Sequence, residues 1–412
     1  EKEYEAHMKR IYLDNAATTP VDEEVVKEMV PVFTENYGNP SSIYKEGRDA
    51  KKLVEENRAK VADALGAQPN EIFFTGSGTE ADNWALKGAA RRNKKRGSHI
   101  ITSAVEHHAI LHTAQQLEKE GFDVTYLPVD EYGKVSPEDL KKALRDDTIL
   151  VSIMMANNEV GTIEPIKEMV EIVKEHNPRT LFHTDAVQAF GNIPVDVKDL
   201  GVDLLSVSGH KIYGPKGIGA LYIKKGTPVE NILQGGAQEK NRRPGTENTA
   251  SIAGFGKAAE IAKEKLPEHT EHMQKLRDKL IKGVLETVPK SELTGHPEDR
   301  LPGNASFIFD YIEGEGILLS LDLAGIAGSS GSACTSGSLD PSHVLLALGL
   351  PAGRAHGSLR LTLGRDTTEE DIDYVIEQLG PIVKRLRAMS PLDEAHPIDA
   401  AVYEHGDHHH HH

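Results

Sequence analysis

The feature that most constrains the fold of this 412-residue chain is an alternation of two sequence patterns between Glu71 and about Ile223. Short β-branched or apolar runs alternate there with longer amphipathic stretches, as parallel strands joined by covering helices require. We therefore predict an α/β fold built on a mostly parallel seven-stranded sheet. The predicted strands are Ile72–Thr75, His99–Ser103, Val124–Val129, Ile149–Ala156, Leu181–Asp185, Leu204–Ser208 and Ala220–Ile223.

A second, smaller α+β domain is predicted after this sheet, because 412 residues exceed the usual size of one hydrophobic core. A charged helix is expected from about Ile252 to Lys265, and the strand pattern restarts later at Ser306–Phe309 and Leu359–Leu363. We place the domain boundary near Leu266 and Pro267. The predicted units are an N-terminal segment 8–21 that packs with the small domain, a large domain 22–266, a small domain 267–390 and a tail 391–412.

Charge and composition exclude several classes of function. A formal net charge of −17 argues against binding to nucleic acid or to an anionic membrane, since both interactions need clustered Lys and Arg. Apolar runs stay below the roughly 18 residues of a membrane span, and the start lacks a secretory-signal pattern. We therefore predict a cytoplasmic protein. The single cysteine, Cys334, excludes an internal disulfide framework, and we predict no metal site.

Two residues at predicted strand ends suggest a Schiff-base cofactor. Lys211 follows the strand that ends in Ser208, and Asp185 ends the preceding strand. A lysine at the carboxyl edge of a parallel sheet can form a Schiff base, while the aspartate can pair with a pyridinium nitrogen and Gln188 can bond the ring phenolate. Taken singly, Lys211 could be a surface charge and Asp185 a helix N-cap.

The stretch from Gly76 to Glu80, which includes Gly78 and Thr79, separates the first predicted strand from a helix. Glycines there allow close backbone approach, and a helix N-terminus attracts phosphate. The same stretch reads as Gly-x-Gly-x-x-Ala, so a dinucleotide enzyme with Glu106 as ribose ligand is an alternative. That alternative assigns no role to Lys211 or Cys334.

His107, Cys334 and Arg360 are further candidates. An imidazole at position 107 could stack on a cofactor and shuttle protons, or it could be a surface histidine. The nearby His108 and His112 are expected on the exposed and buried faces of the following helix. Cys334 stands in a Gly/Ser-rich stretch with little apolar to pack against, which favours a working thiol over a packed one. The fork of Arg360 suits a substrate carboxylate.

In their order along the chain, these motifs resemble those of the cysteine desulfurases, which belong to the fold-type I pyridoxal-phosphate enzymes. The resemblance extends from Tyr12 to about Leu386 and rests on five motifs: Asp14 to Thr19, Gly38 to Ser42, Asn157 to Glu159, Ser208 to Lys211, and the Cys334 segment.

The resemblance implies a pyridoxal 5′-phosphate site, L-cysteine as substrate, and transfer of its sulfur to Cys334 as a persulfide with release of L-alanine. Lys211, Cys334 and His107 would be catalytic, and Asn15, Asn158 and Arg360 would bind the substrate. Thr246 would reach the phosphate in the partner subunit of a homodimer. The implied cofactor-binding residues are Gly78, Thr79, His107, Asn158, Asp185, Gln188, Ser208, His210, Lys211 and Thr246.

The expected partner is an iron-sulfur scaffold or another sulfur-acceptor protein, because the Cys334 segment resembles the branch that serves iron-sulfur cluster assembly and tRNA thiolation. A selenocysteine lyase or another lyase with the same cofactor is the alternative enzyme. A sulfur-carrier scaffold with a structural cofactor is an alternative from a different class. Tyr44 and the tail after Pro391 depart from the family pattern.

Overall fold

The computed structural model describes residues 9–331 and 340–393. Its strands are β1 Ile11–Tyr12, β2 Ile72–Thr75, β3 His99–Ser103, β4 Asp123–Leu127, β5 Thr148–Ser152, β6 Leu181–Asp185, β7 Leu204–Ser208, β8 Gly219–Ile223, β9 Ser291–Leu293, β10 Asn304–Phe309, β11 Ile326–Ala327 and β12 Ser358–Thr362. Its longer helices are α1 Glu23–Thr34, α2 Lys45–Leu65, α3 Gly78–Arg92, α4 His108–Lys119, α5 Pro137–Ala143, α6 Ile166–His176, α7 Thr249–Thr287, α8 Gly314–Leu323, α9 His343–Ala347 and α10 Glu369–Met389. Single helical turns lie at Pro69–Glu71, Val197–Leu200, Gly209–Lys211, Gln238–Asn241 and Ala352–Ala355.

The main sheet has seven strands in the order β2–β8–β7–β6–β5–β3–β4. Strand β8 runs antiparallel to both of its neighbours, and the other pairs are parallel. The predicted α/β fold with a mostly parallel seven-stranded sheet is therefore confirmed.

One predicted strand, Ile149–Ala156, is wrong at its carboxyl end, because β5 stops at Ser152. The buried apolar run continues beyond it as a loop. Ile153 and Met155 still donate to carbonyls of β6, but the Met154 N–H donates to Glu106 and the Asn157 N–H donates to the Thr162 carbonyl, so regular pairing on both sides is lost. A loop that is buried on both sides has the same continuous apolar sequence as a buried strand, so the pattern alone does not distinguish them.

Helix starts lie at the carboxyl edge of this sheet. Ser77 follows β2 and caps α3, since its hydroxyl accepts from the Glu80 N–H at 3.0 Å. His107 follows β3 and caps α4, since its Nδ1 accepts from the Ala109 N–H at 3.1 Å. Such caps satisfy N–H groups that have no partner inside a helix. Two helix N-termini therefore face the edge at which β6 and β7 also end.

A second sheet has the antiparallel order β12–β10–β9, and β1 pairs in parallel with β11. Ile11 and Leu13 are buried with Leu276, Phe307 and Leu361 in one apolar cluster, distinct from the cluster around the main sheet. The N-terminal segment is thus part of the core that the later strands build. The exact domain division stays a prediction.

Helix α7 corrects the predicted helix end near Lys265, because it runs unbroken from Thr249 to Thr287 through Pro267. An interior proline removes one backbone hydrogen bond and disfavours a helix. Pro267 is exposed, whereas Phe255 on one side and Leu276 on the other are buried in the two different clusters. Packing at both ends holds the helix together across the proline, and α7 connects the two cores.

No helix within residues 9–331 and 340–393 combines the length and the apolar character that a membrane crossing needs. The cytoplasmic location stays a prediction.

Candidate active site

Neighbouring strand ends bring Asp185 and Lys211 to one edge of the sheet. Strands β6 and β7 are parallel, with Asp185 beside Ser206, and Lys211 lies in the single turn that follows β7. Asp185 is buried, and its Oδ1 accepts from the Val187 N–H at 3.0 Å. The two residues stand in the arrangement that the sequence predicts.

The Lys211 amine lies against the N-terminal segment. Its Nζ donates to the carbonyl oxygen of Ala17 at 2.8 Å and also to that of Ala16. Gln188 Nε2 donates to the same Ala16 oxygen at 3.1 Å. Burial, followed by the positive charge of Arg360, lowers the pKa of Lys211 to about 8, although Asp14 and Asp185 oppose the shift. An appreciable fraction of the amine is therefore neutral and nucleophilic near neutral pH.

Two glycines let the first turn of α3 approach the ends of its neighbouring strands. A Cβ at Gly78 would lie 3.1 Å from Val187 Cγ2 and 3.3 Å from Ser208 Cβ. A Cβ at Gly219 would lie only 2.6 Å from the carbonyl carbon of Ser77. Thr79, in the same turn, is exposed. A helix N-terminus next to the hydroxyls of Thr79 and Ser208 suits an anionic group such as a phosphate.

His107 and His210 both follow strands that end at this edge, and each has a lowered pKa. Loss of water around the ring lowers the pKa of His107, with Asp185 opposing the shift, even though the residue as a whole stays exposed. Burial, Lys211 and Lys216 lower the pKa of His210 to about 4. His210 Nδ1 lies 3.0 Å from the Thr18 hydroxyl, which ties the lysine turn to the N-terminal segment.

Arg360 reaches the site from the middle of β12. Its Nη1 donates to the Asn158 carbonyl at 2.9 Å, and its Nη2 donates to Asp14 Oδ1 at 3.0 Å. Its Nε is buried without a hydrogen-bond partner within 9–331 and 340–393. Asn15, next to Asp14, donates its side-chain amide to the Thr362 carbonyl at 3.0 Å. Asn15, Asn158 and Arg360 are thus brought together from three distant segments.

Two predicted residues are not part of this arrangement as described. Cys334 lies outside the described residues. Thr246 is exposed on the loop after Arg243, whose guanidinium pairs with Glu80 at 2.8 and 2.9 Å. That ion pair holds the loop next to the first turn of α3.

Glu106 contradicts the dinucleotide alternative. Its carboxyl is fully buried and accepts from the Ser103 hydroxyl at 2.5 Å and from the Met154 N–H at 3.1 Å. A ribose cannot reach a carboxyl enclosed in this way. His112, expected on the buried face of α4, is exposed instead, and the part of the chain that the structure describes contains no His, Cys, Asp and Glu group able to hold a metal.

Sequence reasoning missed Asp14, Asp82 and His183. A signal existed for His183, which stands two positions before Asp185 in one strand and therefore shares its face. A signal also existed for Asp82, a carboxyl among the small and apolar residues Ala81, Trp84 and Ala85 of α3. Nothing local marks Asp14 as the partner of Arg360.

Comparison with known proteins finds similarity along most of the chain. Residues 11–375 match the family model described as aminotransferase class-V. The cysteine desulfurase IscS of Clostridium botulinum (strain Hall) is 60% identical over 389 residues, which cover 94% of this chain and 97% of the relative. A solved NifS-like protein superimposes with a TM-score of 0.87 at 43% identity and covers 92% of this chain and 100% of its own. A solved structure described as SspA in complex with cysteine has a TM-score of 0.76 at 35% identity and covers 87% and 100%.

Proposed function

This chain belongs to the class-V aminotransferase family, and on that basis we propose that it is a cysteine desulfurase, which converts L-cysteine to L-alanine and retains the sulfur as a persulfide on Cys334. The observation that carries the proposal is the Lys211 amine at the sheet edge where Asp185 also stands, with a pKa that burial and Arg360 lower to about 8. The relative that is 60% identical over 94% of the chain is named for the same activity.

The cofactor of this family is pyridoxal 5′-phosphate, and the residues present fit it. Lys211 and Gln188 both donate to the Ala16 oxygen, so the amine and the amide that the cofactor would need lie together at one point of the site. Gly78 provides the close approach that a phosphate at the start of α3 needs.

We assign each cofactor-binding residue one part of the molecule. Lys211 would hold the cofactor covalently, Asp185 would pair with the ring nitrogen, and His107 would stack on the ring. Gln188 and Asn158 would contact the ring oxygen. The phosphate would be bound by Gly78, Thr79, Ser208 and His210 of the same chain, and by Thr246 of the partner subunit. When bound, the cofactor draws electron density away from the substrate Cα.

The chain's own groups would carry the remaining chemistry. Arg360, whose Nε has no hydrogen-bond partner among the described residues, would hold the substrate carboxylate together with Asn15 and Asn158. Lys211 Nζ would move the Cα proton. The Cys334 thiolate would attack the substrate sulfur, so that the Cβ–S bond breaks, an S–S bond forms and a proton is added at Cβ. L-Cysteine and one thiol become L-alanine and one persulfide, and no external oxidant or reductant is required. His107, whose pKa desolvation lowers, would accept the thiol proton.

We propose that the enzyme works as a homodimer. Val26, Val30 and Phe33 share one face of α1 at helical spacing and are 43%, 56% and 63% exposed. Tyr37 and Ile43, shortly after the helix, are 65% and 88% exposed. Exposed apolar groups of this kind favour an interface, and a second copy of the chain is the partner that a shared phosphate site at Thr246 requires.

The sulfur acceptor would be an iron-sulfur scaffold or another acceptor protein in the cytoplasm. The large domain 22–266 would bind the cofactor, and the small domain 267–390 would supply Cys334 and Arg360. Direct contact with nucleic acid or membrane is not part of the proposal.

The test is turnover of L-cysteine by the purified protein. We expect alanine, a protein persulfide, and a borohydride-reduced cofactor adduct that peptide mapping assigns to Lys211. The exposed Lys216 provides the matched control, since Lys216→Ala should leave the adduct and the turnover unchanged. Cys334→Ser should keep the visible absorption of the cofactor but form no alanine from L-cysteine. Turnover at the wild-type rate by Cys334→Ser would refute the persulfide mechanism, and selenocysteine cleavage retained by that variant would favour the lyase alternative.

A further inference from the structure

A strained turn precedes the loop that carries Thr246. In the single helical turn Gln238–Asn241, three consecutive residues other than glycine have left-handed backbone angles. Their φ values are 51° at Glu239, 56° at Lys240 and 66° at Asn241. In this conformation Cβ lies too close to the following carbonyl oxygen, so such residues adopt it singly and rarely in succession. Strain of this kind persists only where the surroundings fix it, and it clusters at functional sites.

The Glu239 carboxylate fixes the turn against the edge of the main sheet. The guanidinium of Arg58, in α2, donates to both of its oxygens, from Nη1 to Oε1 at 2.8 Å and from Nη2 to Oε2 at 2.5 Å. The Phe74 N–H of the edge strand β2 donates to Oε1 at 2.6 Å. The side chains of Arg58 and Glu239 are only 8% and 4% exposed. A shielded bidentate pair is directional as well as strong, so it can hold Glu239 in an unfavourable backbone conformation.

The residue before Glu239 holds the Thr246 loop. The side-chain oxygen of Gln238 accepts from the Gly245 N–H at 3.1 Å, one position before Thr246. Because Gln238 and Glu239 are neighbours, the buried carboxylate determines where the Gln238 amide lies. One series of contacts therefore runs from the edge of the main sheet to the residue next to Thr246.

We infer that Glu239 is a positioning residue, which holds the Thr246 loop in place for the cofactor site of the partner subunit. The inference rests on the proposed function, in which Thr246 binds the phosphate across the dimer. Without the contacts of Glu239, the turn would relax to ordinary backbone angles and the Gln238 amide would lose its position beside Gly245. The cofactor would then be held less tightly in the partner's site, whereas the site of the same chain would keep its affinity.

The test measures cofactor binding in mixed dimers that contain one intact Lys211. In the first dimer, a Glu239→Ala chain is paired with a Lys211→Ala chain, so the intact lysine faces an unaltered loop. In the second, wild type is paired with a chain that carries both substitutions, so the intact lysine faces the altered loop. Visible absorbance of the adduct at Lys211 gives the dissociation constant of pyridoxal 5′-phosphate. We expect the first dimer to match wild type paired with Lys211→Ala, and the second to bind about tenfold more weakly, as for one lost charged hydrogen bond.

Glu55→Ala is the matched control. Glu55 also pairs with Arg58, at 3.1 Å, but it is 53% exposed and lies in α2 itself. In place of Glu239→Ala, it should leave the affinity of both dimers unchanged. Equal affinity in the two Glu239→Ala dimers, or weaker binding in the first, would overturn the inference. If Glu239→Ala does not fold, Gln238→Ala removes the Gly245 contact and leaves the buried pair, and the same pattern with a smaller loss is expected.

Limited trypsin cleavage after the exposed Lys240 tests the turn in cofactor-free protein. We expect faster cleavage in Glu239→Ala than in wild type or Glu55→Ala, and equal rates in all three would show that Glu239 does not hold the turn. A wild type that forms no cofactor adduct at Lys211 would instead refute the proposed function. The cleavage rates would still report whether Glu239 fixes the loop.

Discussion

Arg360 Nη2 donates to Asp14 Oδ1 at 3.0 Å and thereby joins two residues that stand 346 positions apart in the chain. The pair is largely shielded, with 13% and 21% of the two side chains exposed. It brings the N-terminal segment against β12 at the point where the substrate carboxylate would bind. Because Asp14 and the Asn158 carbonyl hold the two terminal nitrogens, the guanidinium is fixed in orientation before substrate arrives.

Replacing Arg360 by lysine tests that orientation. Arg360→Lys keeps the charge but loses the planar fork, so kcat/KM for L-cysteine should fall by roughly tenfold or more, as expected for a lost charged hydrogen bond. Alanine formation measures the effect. Arg354→Lys is the control, since Arg354 pairs with Asp310 and Glu292 away from the site. Equal loss in both variants would mean that general stability rather than substrate binding is affected.

Cofactor capture by Lys211 should depend on pH in a defined direction. Only the neutral amine attacks an aldehyde, and the pKa of Lys211 is lowered to about 8. The capture rate of cofactor-free protein should therefore rise as pH increases through about 8 and then level off, as followed by visible absorbance. Lys216→Ala should give the same profile. A midpoint near the ordinary pKa of a free lysine would show that the amine is not buried as described.

Gly219→Ala should disturb the start of α3, because the added Cβ would lie 2.6 Å from the Ser77 carbonyl carbon and 2.9 Å from the Gly78 nitrogen. We expect a loss of about 1–3 kcal/mol in unfolding free energy, typical of overpacking, together with weaker cofactor binding. Thermal unfolding and cofactor titration measure the two effects. Gly316→Ala, in α8, is the matched control. A Cβ at Gly316 would meet only the Leu386 side chain, at the ordinary contact distance of 3.7 Å. Unchanged behaviour of Gly219→Ala would argue against a phosphate site at this turn.

Mixed dimers test whether Thr246 acts across the interface. A Thr246→Ala chain paired with a Lys211→Ala chain should contain one intact composite site and regain activity. The control pairs wild type with the double variant, which leaves no site with both residues if Thr246 serves its partner. The reverse pattern, with activity in the control pair alone, would mean that Thr246 serves its own subunit.

Much of the sheet could be predicted from local pattern. The runs Ile72–Thr75, His99–Ser103, Leu181–Asp185 and Leu204–Ser208 match the observed strands because each is bounded by turn or cap residues. The end of Ile149–Ala156 could not be predicted, because a buried loop and a buried strand share the same apolar composition. The predicted helix end near Pro267 was wrong because the helix packs into both hydrophobic cores, and this packing outweighs the one backbone hydrogen bond that the proline removes.

The sequence by itself determined which residues stand at strand ends, and so it brought Asp185, Ser208 and Lys211 to one edge, because neighbouring parallel strands finish on the same side of a sheet. Only the tertiary structure decided what surrounds them. The Ala16 carbonyl against Lys211, Asp14 against Arg360 and Asp82 beside His183 are contacts between different elements. Periodicity specifies which face of an element is buried, but the approach of one buried face to another depends on packing along the whole chain.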